Sequence, residues 1–242
     1  MSTVLKLHNV SKAFGAVTVS DALSYELQSG EALGIIGPNG AGKTSMFNLI
    51  TGALPADAGT IWFDGRDITH MKAAMRCRSG IARSFQIPQP FGAMSVFENA
   101  LVAATQGAGL VGTKANRLCL DALEQTGLLA KANTLAGNLT LLERKRLELT
   151  RALCAKPKLL LLDEIAGGLT EKECHALVET IRAIRATGIS IIWIEHIVHA
   201  LLAVVDRLVV IDFGRKIADG EPKSIMASRQ VREIYMGIEV DG

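Results

Sequence analysis

Gly37, Pro38, Asn39, Gly40, Ala41, Gly42, Lys43 and Thr44 set three glycines, an amine and a hydroxyl in one short stretch. Glycines so placed let consecutive backbone N–H groups turn inward around phosphate oxygens, and a helix opening at Ser45 adds its positive N-terminal end. Lys43 would then reach the β- and γ-phosphates as a point charge, while the Thr44 hydroxyl would ligate Mg²⁺. A second group ends the run Lys158-Leu159-Leu160-Leu161-Leu162-Asp163-Glu164. An Asp at the carboxyl end of a buried parallel strand can hold hydrated Mg²⁺, and the adjacent Glu164 can take the proton of a water attacking a γ-phosphate. The apolar run at 189–194 repeats this pattern and leads into Glu195-His196, so His196 occupies the same kind of strand end and could reach the γ-phosphate, although a lone His is more often structural. Gln86, in Arg83-Ser84-Phe85-Gln86, closes another predicted strand. There it either touches the metal or the attacking water, or is an ordinary polar loop residue.

These residues need elements to carry them. The apolar stretch 32–36 before the glycines and the helix-like stretch 45–50 after them read as strand, loop, helix, the context a phosphate loop requires. Residues 4–10 and 17–27 alternate loosely on either side of a break at 11–15, which predicts an antiparallel β-layer at the N-terminus. Phe14 lies in that break, either as an exposed face for a nucleotide base or as a core residue at a strand end. Residues 60–65 read as a further strand and turn. From about residue 87 the texture changes: Pro88, Pro90 and Gly92 mark a loop, and 95–153 carries helical patterns with no convincing strand, as an inserted helical subdomain would. Within it Thr140 and Glu143 form a capping box, so a helix should start at Thr140. Residues 171–187 place Cys174, Leu177, Val178, Ile181 and Ile184 on one helical face that ends at Gly188. The tail reads as a hairpin about 212–214 followed by a short helical end.

Composition narrows the function. The 242 residues, 49% of them apolar, suffice for a substantial core. A net charge of +2 with only 5% aromatics offers no basic stripe or stacking platform, so nucleic acid is not the expected partner. The four cysteines lie far apart without a C-x-x-C pair, which fits free thiols in a reducing compartment. No signal peptide opens the chain, and its apolar runs fall well short of the ~20 residues needed to cross a bilayer.

In order and spacing, the phosphate loop, Gln86 ahead of a helical insertion, the segment 139–146, the Leu-rich strand into Asp163-Glu164, Gly168-Leu169 and His196 resemble the ATP-binding cassette (ABC) ATPases over nearly the whole chain. Arg83-Ser84-Phe85-Gln86, the run 144–149 and Ile194-Glu195-His196 look most like the nucleotide-binding subunits of branched-chain amino acid importers, and lipopolysaccharide-export ATPases share much of this phrasing. The resemblance implies an α/β fold: a P-loop NTPase (RecA-like) core with an N-terminal antiparallel β-layer over 1–86 and 154–242, and a helical subdomain over 87–153. It implies ATP and Mg²⁺ as cofactors, with Thr44, Gln86 and Asp163 toward the metal. Phe14 would stack on adenine, Glu164 would be the general base, and His196 would contact the γ-phosphate. The implied partners are a second ATPase subunit, identical or not, closing head to tail over two ATP molecules, a transmembrane permease touching 86–99 and the insertion, and indirectly a solute-binding protein. The place implied is the cytoplasmic face of the inner membrane, peripherally.

Two departures carry consequences. The family's signature is a Leu-Ser-Gly-Gly-Gln type stretch, but here Leu139-Thr140-Leu141-Leu142-Glu143 lacks both glycines. A branched side chain and a negative charge then stand where a helix N-terminus would approach phosphate. Thr140 keeps the hydroxyl but spends it on the cap. In the segment after Glu164, Ile165 stands where Pro is usual and Thr170 where Asp or Asn is usual. One hydrolysing and one mainly binding site is the expectation. A P-loop GTPase or small-molecule kinase fits less well, since no Asn-Lys-x-Asp guanine-reading motif is present. A non-catalytic nucleotide-binding regulator or an export-type ATPase are the alternatives.

Overall fold

The computed structural model describes residues 2–236. The chain forms two compact units, Met1–Lys72 with Ser190–Gly242, and Ala73–Ile189.

The first unit holds two sheets. β1 (Thr3–Phe14) and β2 (Val17–Gln28) pair antiparallel, β4 (Ala58–Phe63) takes the other edge of β1, and β5 (Arg66–Asp67) completes the order β2-β1-β4-β5. The predicted break at 11–15 shrinks to a turn. β1 stays extended through Phe14 because register shifts between Leu7 and Val10, and again on to Ala13, absorb the irregular pattern as bulges. In the other sheet β3 (Ala32–Ile36) runs parallel between β8 (Ser190–Ile194) and β9 (Arg207–Asp212), and β10 (Arg215–Gly220) returns antiparallel to β9. Every residue of β3 and β8 is buried, which is why these runs are continuously apolar and do not alternate. Helix α1 (Lys43–Thr51) follows β3, and α7 (Val198–Leu202), α8 (Pro222–Ala227) and α9 (Arg229–Met236) complete this unit.

In the second unit α2 (Ala73–Arg78) leads into β6 (Ile81–Ser84), which pairs parallel with β7 (Leu159–Asp163), Ser84 opposite Leu162. Between these strands the chain is helical: α3 (Val96–Gln106), α4 (Gly112–Gln125) and α5 (Leu141–Cys154) close over Val96, Leu123, Leu128, Ala136, Leu139 and Leu147. α6 (Glu171–Ala186) buries the five residues that the helical spacing selected. Three of these helices begin with the same device. Ser95 with Glu98, Thr140 with Glu143 and Thr170 with Glu173 each form a reciprocal capping box, satisfying two otherwise orphaned N–H groups. Among the described residues no helix is long and apolar enough to cross a membrane. The four cysteines are free thiols, three of them buried.

Candidate functional site

In the first unit the chemistry gathers at one sheet end. Ile35 of β3 pairs in parallel with Ile194 of β8, and two residues beyond each stand Gly37 and His196. The phosphate loop and the imidazole therefore leave the same carboxyl edge, where open parallel sheets take ligands. The loop is built on close backbone approach. A Cβ on Gly37 would lie 2.0 Å from the Ile211 carbonyl oxygen, and one on Gly42 would lie 2.2 Å from that of Val19, with φ of 97° at Gly42 besides. No side chain fits at either place. Gly42 is the N-cap of α1, so the loop closes onto a helix start carrying no side-chain cap of its own. The buried Lys43 folds back over this loop, its Nζ donating to the carbonyl oxygens of Gly37 at 2.8 Å and Pro38 at 2.9 Å. Ala41 is buried and accepts the Gly214 N–H from the β9–β10 turn, while Asn39, Gly40 and Thr44 are exposed and Pro38 and Ser45 half-buried.

His196 is exposed, and the turn bearing it is held from below: the buried Glu195 carboxylate accepts the N–H groups of His196 at 3.0 Å and Ile197 at 3.4 Å. Phe14 is 54% exposed at the end of β1, with the Lys12 ammonium 5.4 Å from its ring centroid. A core role for Phe14 is thereby excluded, and the ring is available as a stacking face.

The second unit supplies the carboxylates. Asp163 ends β7 almost fully buried, and Arg83 of the adjacent strand β6 donates to its Oδ2 at 2.5 Å. Glu164 follows in the left-handed region with φ of 46°, a strained conformation for a residue with a side chain. That turn aims its carboxylate at the exit of β6, where Gln86 Nε2 donates to Oε2 at 2.6 Å. Gln86 and Glu164, 78 residues apart, are thus brought into direct contact. Sequence reasoning missed the part played by Arg83. No local signal could have found it, since the contact depends on the register of β6 on β7, in which Arg83 stands opposite Leu161, one same-face step from Asp163.

Thr140 caps α5 as expected: its Oγ1 accepts the Glu143 N–H at 3.4 Å, and Glu143 Oε2 accepts the Thr140 N–H at 2.9 Å. Glu143 also pairs with Lys131. Lys131 first, and the Thr140 N–H second, hold this carboxyl below the usual carboxylate range. Leu141 is half-exposed beside Gly168. The start of α5 carries its own anion.

Residues 20–167 match the family model described as ABC transporter. The chain belongs to the ABC transporter family. This cassette is 35% identical over 97% of its length, and 98% of the relative's, to the high-affinity branched-chain amino acid transport ATP-binding protein LivG of Salmonella typhimurium. It is 32% identical, with the same coverage, to BraF of Pseudomonas aeruginosa, which carries the same description. Among solved structures, the ADP conformation of an ATP-binding cassette of an ABC transporter superposes with a TM-score of 0.90 at 31% identity, covering 98% of this chain and 100% of that one. A nucleotide-free ATP-binding cassette superposes with a TM-score of 0.89 at 31% identity over the same shares. The cassette is accordingly a nucleotide-binding ATPase subunit of a transporter, and the P-loop NTPase fold expected from the sequence is the one found.

Proposed function

We propose that this cassette binds ATP at residues 37–45, hydrolyses it, and drives import of branched-chain amino acids through a permease at the inner face of the membrane. The observation carrying this reading is the backbone cradle of Gly37 and Gly42, over which Lys43 is folded, at the same sheet edge as His196. A triphosphate there would take the amides of the loop and the α1 N-terminus, and Lys43 would exchange its two carbonyl contacts for phosphate oxygens. Phe14 would stack on the base, His196 would meet the γ-phosphate, and Glu164 would accept the proton of the attacking water, oriented by Gln86. Among the described residues no cluster of three or more His, Cys, Asp or Glu could hold a metal ion by itself. The Thr44 hydroxyl, the Asp163 carboxylate and the Gln86 amide oxygen are nonetheless the hard donors that suit Mg²⁺ arriving with phosphates. Bound there, Mg²⁺ would neutralise charge on the β- and γ-oxygens. Residues 87–153, which contain α3, α4 and α5, would form the helical subdomain, and 1–86 with 154–242 the RecA-like core and β-layer.

Reconstitution with a cognate permease pair in proteoliposomes tests this. ATP-dependent uptake of leucine, isoleucine or valine is the expected result, and ATPase activity with no uptake of these solutes would reject the substrate assignment. Turnover of GTP in preference to ATP would reject the nucleotide.

A second reading concerns symmetry, and Glu143 motivates it. With a carboxylate at the start of α5, this subunit would serve a partner's ATP poorly, so a pair made with a different cassette would hydrolyse mainly at one site. Single-turnover measurement on such a heterodimer decides it, since equal firing at both sites would contradict the asymmetry.

A further inference from the structure

We propose that Arg83 is a positioning residue of the hydrolysis site, acting through Asp163. The inference rests on reading Asp163 as the carboxylate that holds the nucleotide's metal.

Side-chain exposure is 7% for Arg83 and 5% for Asp163, so neither charge is solvated by bulk water. A carboxylate buried to that degree needs a hydrogen-bonding partner to fix its orientation, and the Arg83 guanidinium supplies it. It comes from the neighbouring parallel strand, where Arg83 is in register with Leu161, and so reaches the strand tip from a fixed direction. Its other side is held as well, with Arg83 Cζ 5.0 Å from the centroid of the Phe85 ring. Phe85 is 54% exposed, so an exposed aromatic, a buried cation and a buried carboxylate form one chain of contacts. Arg83 and Gln86, three residues apart on one exit segment, take the two successive carboxylates at the end of β7 and just beyond it, Asp163 and Glu164. Buried partners that orient a metal-binding carboxylate act on metal affinity without touching the metal. An ammonium at position 83 would keep the charge but lose the planar fork and the stacking on Phe85.

The test uses the full chain with adenylyl imidodiphosphate as a non-hydrolysed triphosphate and Mn²⁺ as the spectroscopic substitute for Mg²⁺. Protein is kept in excess over nucleotide, and bound Mn²⁺ is read by electron paramagnetic resonance. Arg83→Lys should weaken Mn²⁺ binding roughly tenfold, at the lower end for partners behind a metal ligand, with nucleotide affinity in EDTA unchanged. Asp163→Asn should weaken Mn²⁺ at least as much. If Asp163→Asn does so and Arg83→Lys does not, the positioning role is overturned while the reading of Asp163 survives. If Asp163→Asn leaves Mn²⁺ affinity intact, that reading fails and the inference falls with it. Should Arg83→Lys not fold, Arg83→Gln decides in its place, because it removes the guanidinium from Asp163 and leaves a polar side chain of similar reach. A weakening in the same direction supports the proposal, and an unchanged Mn²⁺ affinity overturns it.

Discussion

Gln86 and Glu164 share a hydrogen bond of 2.6 Å between the exit of β6 and the tip of β7. The amide that would orient an attacking water and the carboxylate that would deprotonate it are held by one another, so a displacement of the loop beginning at Phe85 changes the surroundings of the base directly.

Glu164→Gln removes the proton acceptor and keeps a side chain of the same shape that can still meet Gln86. Phosphate release should fall by about 10²- to 10⁴-fold, the usual contribution of a positioned base. ATP affinity, measured by equilibrium binding, should stay at the wild-type value. Turnover that survives the change would remove Glu164 from the role.

Lys43→Ala deletes a charged donor that now spans the Gly37 and Pro38 carbonyl oxygens. Losing a charge-assisted contact of about 1.5 to 3 kcal/mol should weaken ATP binding by roughly ten- to a hundredfold, as titration calorimetry would read it. An unchanged affinity would dismantle the phosphate-loop assignment.

Gly42→Ala tests the cradle from the backbone side. The new Cβ would meet the Val19 carbonyl oxygen at 2.2 Å in a residue with φ of 97°. The substitution should cost about 1–3 kcal/mol in urea unfolding and impair ATP binding as well. Gly40→Ala is the control. Its φ of 80° is also left-handed, but a Cβ there meets nothing within 4 Å, so the steric part of the cost should be absent.

Glu143 gives a pH-dependent signal of known sign. Its folded-state pKa is lowered, chiefly by Lys131 and then by the Thr140 N–H, so its stabilisation is present above the unfolded value and lost as pH falls through the folded one. At pH 7, Thr140→Ala should cost about 0.5–2 kcal/mol as an ordinary cap deletion. Glu143→Gln should also destabilise at pH 7, and its difference from wild type should shrink below about pH 4.3, where the unfolded carboxyl takes up its proton. Urea midpoints for both proteins at a series of pH values measure this, and a difference that persists at the acid end would show that the carboxylate's charge is not the source.

What the sequence alone determined was whatever depends on local order: the glycine loop between a strand and a helix, the buried strands ending in Asp163-Glu164 and Glu195-His196, the capping box at Thr140, and the inward face of α6. Each is set by residues within a few positions of one another, where periodicity and capping chemistry act. Only the tertiary structure decided the rest. Phe14 was open between core and surface because burial depends on what packs across a strand end, and its 54% exposure came from the way β1 continues through its bulges. The tie of Arg83 to Asp163, and that of Gln86 to Glu164, join residues about 80 positions apart. Nothing in either segment names the other, because strand pairing is a choice made by the whole chain, and it is the parallel register of β6 on β7 that brings those four side chains within hydrogen-bonding reach.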